Sequence, residues 1–184
     1  KNIKNFDRYI LAVDISNKLI QIAKKKHNKK IKFLVKDLEK FKVKKKFNNI
    51  ISINVMHRVD TKNFEKLINN CSNNKSKIII VTMNIFSPQF ILIRLIQIIF
   101  GIFGYKFGAQ VAKKGFSNNQ IKKIFKNYKI IKISNNGYLH NFLPLRCSKS
   151  LDQKLSKIDD LISDIPIINQ LGVSKLIVLK KINS

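Results

Sequence analysis

Short apolar runs rich in β-branched residues alternate along this chain with segments of helical periodicity, and that alternation restricts the fold more than anything else in it. The runs are YILAVD (9–14), IKFLVK (31–36), NIISIN (49–54), KIIIVTM (77–83), YKIIKIS (128–134) and KLIVLKK (175–181). The first four are apolar at successive positions, which predicts strands of a parallel sheet covered on both faces. Between them, SNKLIQIAKKK (16–26) gathers Leu19, Ile20, Ile22 and Ala23 on one helical face, with Ser16 as N-cap. TKNFEKLINNC (61–71) does the same with Phe64, Leu67 and Ile68. SNNQIKKIFKN (117–127) opens with Ser117 and Gln120 at capping-box spacing. Strand following helix following strand predicts one α/β domain across the 184 residues, with a mostly parallel sheet and helices on both faces.

Two segments break the pattern and read as insertions, 84–116 and 136–172. The first holds IFSPQFILIRLIQIIFGIFG (85–104), nearly long enough to span a bilayer but interrupted by Pro88, Gln89, Arg94 and Gln97. An arginine at the centre of a span costs about 2.5–3.5 kcal/mol. Arg94, Gln97, Gly101 and Gly104 also fall on a single helical stripe. The expectation is an amphipathic helix with a wide apolar face, either packed on the domain or lying on a membrane surface. The second insertion predicts a helix over 151–170, with Leu151, Leu155, Ile158, Ile162 and Ile165 inward and Pro166 near its end.

Charge is the unusual part of the composition: 37 Lys and Arg against 10 Asp and Glu, net +27. Such a field attracts polyanions, nucleic acid or an anionic membrane. The excess is nearly all Lys and comes with abundant Asn and Ile, the residues an A/T-rich coding sequence supplies. The arginines are only Arg8, Arg58, Arg94 and Arg146, whereas phosphate- and base-reading surfaces favour the arginine fork. Cys71 and Cys147 stand apart, with no His or Cys at ligand spacing, so neither a metal site nor a disulfide framework is expected. That suits a cytoplasmic protein. Nothing reads as a signal peptide, and a chain starting at Lys1 is expected to be a piece of a longer one.

Asp14 ends the first run and Asp37 follows the second, in a chain poor in acids. In open α/β sheets ligands bind beyond the carboxyl ends of the strands. A carboxylate there accepts from two ribose hydroxyls at once. The plainer reading has Asp14 capping the following helix and Asp37 starting a turn. A third strand exit follows in FNNIISINVMHRV (47–59), where Asn54, Val55, Met56 and His57 leave the strand.

The succession AVDIS, IAKKK, IKFLVKDLEKF, FNNIISINVMHRV resembles the class I S-adenosylmethionine-dependent methyltransferases from their second motif through their fourth. KIIIVTMN looks like their fifth strand, GFSNNQIKKIFKNYKIIKIS like the last helix and sixth strand, and SKLIVLKK like the antiparallel seventh. The resemblance implies a Rossmann-like sheet of order 3-2-1-4-5-7-6 and S-adenosylmethionine as cofactor. It implies that Asp14 binds the cofactor's ribose hydroxyls and that Ile15 lies on the adenine. Asp37 would accept from the adenine amino group beside Leu38. Asn54 and Val55 would border the methionine moiety. His57 falls where many small-molecule members carry a histidine, and is either a general base or a helix-start residue satisfying a backbone group; Met56 is expected in the core. The chain departs from the family in one respect: the first strand and its glycine-rich loop are missing, and the glycines at 101, 104, 108, 115, 137 and 172 form no such cluster. The piece is therefore expected to carry the adenosine-binding half of a site and to bind cofactor poorly alone.

The leading function is methyl transfer to a small or lipid-like acceptor, with residues 85–104 and GYLHNFLPLR (137–146) on the acceptor side and peripheral membrane contact through the former. An RNA or DNA methyltransferase would suit the charge, but the fourth strand ends INVMHR and lacks the Asp/Asn-Pro-Pro-aromatic motif, so nucleic acid is the weaker partner. A nicotinamide-binding Rossmann domain and a non-catalytic remnant complete the alternatives.

Overall fold

A computed structural model describes residues 9–27, 31–43, 45–104, 114–137, 157–158, 165 and 170–182. The chain divides into two compact units, 1–44 and 45–184, and each is described by itself.

In the first unit, β1 (Ile10–Asp14) and β2 (Ile31–Val35) pair in parallel, Ile10 opposite Ile31 through Asp14 opposite Val35. The connection is α1 (Asn17–Lys26). Ser16 caps it as expected, its hydroxyl accepting from Leu19 N at 3.3 Å. Lys24, Lys25 and Lys26 close the helix, where positive charge suits the carbonyl end. Ile20 is the buried side chain of this unit among the described residues.

The second unit is a four-stranded sheet of order β3-β4-β6-β5, formed by β3 (Phe47–Ile53), β4 (Ser72–Met83), β5 (Tyr128–Asn136) and β6 (Ser174–Lys181). β3 and β4 are parallel, and β6 runs antiparallel to both β4 and β5. The two sheets thus reproduce the expected neighbours, including the antiparallel closing strand. β4 begins five residues earlier than the apolar run implied, at Ser72 and not Lys77. Polar SNNKS joins the strand because its partners are specific. Ser76 is buried, donates to Phe47 O at 2.6 Å, and accepts from Asn73 N at 2.7 Å.

Burial in β3 alternates where both faces were expected to be covered: Ser52 is buried while Ile51 and Ile53 are 66% and 62% exposed. β4 and β6 bury Ile78, Ile80, Ile177 and Leu179 completely. They join Met56, Phe64 and Ile68 of α2 (Thr61–Cys71) and the loop before it, and Ile121 and Phe125 of α4 (Asn118–Ile124) and its end, in one core. Met56 is thus a core residue. The Ser117–Gln120 capping box forms, with the Gln120 side chain accepting from Ser117 N at 2.8 Å and Gln120 N donating to the Ser117 hydroxyl at 3.2 Å.

The apolar insertion forms α3 (Pro88–Ile102). It starts later than its apolar stretch because Asn84 still bridges to Phe116, Ser87 accepts from Phe90 N, and Pro88 sets the first helical position. Of the second insertion most lies outside the described residues, including nearly all of GYLHNFLPLR and of 151–170. Ile158 and Ile165 are described, and at 42% and 45% exposed they are not the inward positions expected. Cys71 is a free thiol; Cys147 is outside the described residues.

Candidate functional site

The residues singled out at strand exits fall into one group in each unit. In the first, Asp14 closes β1 half-buried, and its Oδ1 accepts from Ser16 N at 2.7 Å. Its backbone carbonyl takes Lys36 N at 3.0 Å. Asp37 repeats the arrangement after β2, its Oδ1 accepting from Glu39 N at 3.0 Å and its carbonyl from Lys40 N at 3.2 Å. So each aspartate does tighten its own turn, as the plainer reading required. A carboxylate has room for about four hydrogen bonds, and the second oxygen of each meets no partner among the described residues. The turn bond orients the group and, among the described residues, leaves most of its capacity open. Beside Asp14, Ile15 is 69% exposed, an apolar surface next to a fixed carboxylate. Leu38 is half-buried in the turn after Asp37.

In the second unit, Asn54 follows the last residue of β3 with φ of 56°, the only non-glycine at positive φ among the described residues. Asparagine tolerates this region better than other side chains, at a cost of order 1 kcal/mol. Its N–H still bonds Val81 O at 2.9 Å, so the strained turn starts at the strand's edge. Val55 is half-buried against the core, and its carbonyl accepts from Arg58 N at 2.8 Å.

His57 is buried, and its Nε2 accepts from Arg58 Nε at 3.3 Å. Nδ1 has no partner among the described residues, so neither ring nitrogen serves a backbone group there. With the lone pair assigned to Nε2, the proton sits on Nδ1. Burial, and then the Arg58 charge, pushes the imidazole from 6.5 down to about 4, so it is neutral at physiological pH.

Two buried polar residues near the same end of β4 were not singled out by sequence. Asn84 is fully buried where the chain leaves β4. Its Nδ2 donates to Gln170 O at 2.7 Å and Gly172 O at 2.8 Å, and its Oδ1 accepts from Phe86 N at 3.3 Å. A Cβ on Gly172 would lie 2.8 Å from Asn136 N, so only glycine lets the loop approach this closely. Lys175 of β6 is 1% exposed, and its Nζ donates to Asn118 Oδ1 at 2.6 Å and Asn135 Oδ1 at 2.9 Å. Its partners are neutral amides, and burial pushes its ammonium down to about 8. Thr82 sits opposite it in the β4–β6 register, with a buried hydroxyl that has no partner among the described residues. The signal for Asn84 was its place directly after an apolar strand; for Lys175 the local sequence carried none.

Residues 2–74 match a family model described as a methyltransferase domain. No curated protein matches the chain in sequence. Solved structures of similar fold include an S-adenosylmethionine-dependent methyltransferase from Mesorhizobium loti, 12% identical, with a TM-score of 0.61 over 94% of this chain and 80% of that one. Another, from Thermotoga maritima, is described as an S-adenosylmethionine-dependent methyltransferase, possible histamine N-methyltransferase; it is 13% identical, TM-score 0.62, over 94% and 73%. A third is the magnesium protoporphyrin IX methyltransferase of Synechocystis, solved with bound SAH, 14% identical, TM-score 0.54, over 94% and 63%. At such identities the likeness is one of fold.

Proposed function

We propose that this chain, which carries a class I S-adenosylmethionine-dependent methyltransferase domain, transfers a methyl group to a small or lipid-like acceptor, with Asp14 holding the cofactor's ribose. The observation that carries the proposal is the half-buried Asp14 carboxylate at the end of a parallel strand pair, oriented through one oxygen and unengaged at the other among the described residues. The cofactor, when bound, supplies an electrophilic methyl group on a sulfonium. For the chain's own residues, Asp14 accepts from the ribose hydroxyls, and exposed Ile15 offers the adenine an apolar face. Asp37, beside Leu38, accepts from the adenine amino group. These residues suit that ligand: each aspartate is preset by its turn and has acceptor sites to spare.

Asn54 and Val55 are assigned to the methionine side by their place at the exit of β3. His57 is assigned as the base that takes a proton from the acceptor: the ring is neutral, and Nε2, which carries its lone pair, would do so in place of the hydrogen bond it accepts from Arg58. The nucleic-acid alternative rests on charge alone. The lipid-like acceptor gains support from α3, which leaves the carboxyl end of β4 at Ser87.

Cofactor titration by calorimetry, with a first strand and glycine-rich loop restored ahead of Lys1, tests the reading. Asp14→Ala should weaken S-adenosylmethionine binding by about 1.5–3 kcal/mol, the worth of charge-assisted hydrogen bonds. Equal affinity in variant and wild type would remove Asp14 from the site. For His57, His57→Gln should lower kcat by about a hundredfold or more with cofactor affinity unchanged. An unaltered kcat would leave the histidine a purely structural part.

A further inference from the structure

We infer that α3 is a docking element that seats the second unit on the surface of an anionic lipid bilayer. The helix leans on its own unit through Phe90, which is buried, while Gln97 on the same side is half-buried. The opposite side is apolar and exposed: Leu92, Leu95, Ile98, Ile99, Ile102 and, just past the helix end, Phe103 are 50–77% exposed. At 100° per residue these side chains fall within a single broad face. The sequence left two uses open for such a face, and among the described residues packing on the domain leaves it exposed.

The occupant follows from charge. No Asp or Glu occurs between Glu65 and Asp152, so α3 sits in a long acid-free stretch of a chain with net charge +27. Along this stretch the chain itself offers an anionic surface lysines to attract it and no acid to repel it. A second copy of the chain would bring a second +27 to the contact. Nucleic acid would answer the charge but not the apolar face. Nor does the helix cross: no helix among the described residues is long and apolar enough. At about 1.5 Å per residue its 15 residues reach about 22 Å, against about 30 Å of hydrocarbon. It lies in the interface, apolar face down.

This bears on the acceptor class proposed above, placing the exit of β4 next to lipid. The docking itself requires no methyl transfer, so the two readings fail separately.

The chain contains no tryptophan, so Ile98→Trp introduces a single reporter in the face. The full chain is mixed with vesicles of phosphatidylcholine alone or with phosphatidylserine added. The expected result is co-sedimentation with the anionic vesicles, a blue shift of the indole emission, and quenching by lipids brominated in their acyl chains. The double variant Leu95→Glu with Ile99→Glu should partition at least about tenfold less, with unchanged far-UV dichroism, since both positions are exposed. Adsorption that high salt abolishes, without any blue shift, would assign the attraction to the lysines and overturn the role of α3. So would binding untouched by the double variant. A blue-shifted indole without vesicles overturns it too: if the chain is dimeric a second copy covers the face, and if monomeric another segment of this chain does. An unshifted indole with tight binding to random RNA would give the surface to nucleic acid.

Discussion

The unit around β1, α1 and β2 and the unit around the four-stranded sheet are stabilised to very different degrees. Every residue of β1 is half-buried, and Ile20 is the buried side chain among the described residues there. In the other unit β4 and β6 alternate fully buried isoleucines and leucine with partly exposed neighbours, and a core of eleven buried residues runs through strands and helices. Each fully buried side chain of that size is worth about 1.5–3 kcal/mol. The aspartates assigned to the cofactor sit on the weakly buried unit. Ligand-binding segments are generally drawn from the less stable end of a structure, and a ligand that binds only the folded form stabilises it by mass action. On the proposed assignment of Asp14 and Asp37, cofactor recognition falls where the ligand itself can supply what the core does not.

Truncating both units tests this most strongly. Ile80→Ala, at a fully buried position, should cost about 3–4 kcal/mol by urea denaturation, and Leu11→Ala in half-buried β1 about 1 kcal/mol. Equal costs would erase the contrast.

Next in size is the pH dependence of the sheet unit. Lys175 has a folded pKa of about 8, below its ordinary 10.5, so between these values the unfolded chain binds more protons. Stability from this residue should therefore rise as pH climbs from about 8 to 10.5, by at most about 3 kcal/mol. Lys175→Met should flatten that rise. A slope that persists in the variant would mean the buried ammonium is not its source.

Smallest are the helix caps. Ser16→Ala and Ser117→Ala each remove one hydroxyl acceptor and should each cost about 1 kcal/mol. Read by amide exchange, the first should speed exchange in β1 and β2 and the second in α4. Identical exchange patterns in the two variants would show that the units open together.

What could be read before the structure shares one property: its determinants are close in sequence. The Ser16 cap, the Ser117–Gln120 box and the whole of α2 depend on residues within a turn of one another. The aspartates at the exits of β1 and β2 were visible because an acid ending an apolar run is a local pattern. Lys175 was not, because its burial rests on Asn118 and Asn135, 57 and 40 positions away. Asn84 answers to carbonyls 86 and 88 positions on. Polar SNNKS entered β4 only because Phe47 was there to receive Ser76. For α3 the sequence supplied an apolar surface, but which side it turns outward depends on where Phe90 finds its contacts.

The placement of β6 bears on how the protein is made. It lies between β4 and β5 although it follows both in the chain. A ribosome delivers β4 and β5 first, each lacking the neighbour that will hydrogen-bond it on that side. From Asn136, the end of β5, to Lys181, the end of β6, is 45 residues. At about 5–20 residues per second, that is a wait of about 2–9 s. During it the isoleucines of β4 have no strand to close over them, so the nascent sheet is open along the line where it will finally be strongest. Chaperone capture should concentrate in that interval, and a nascent chain stalled before Ser174 should be its most persistent client.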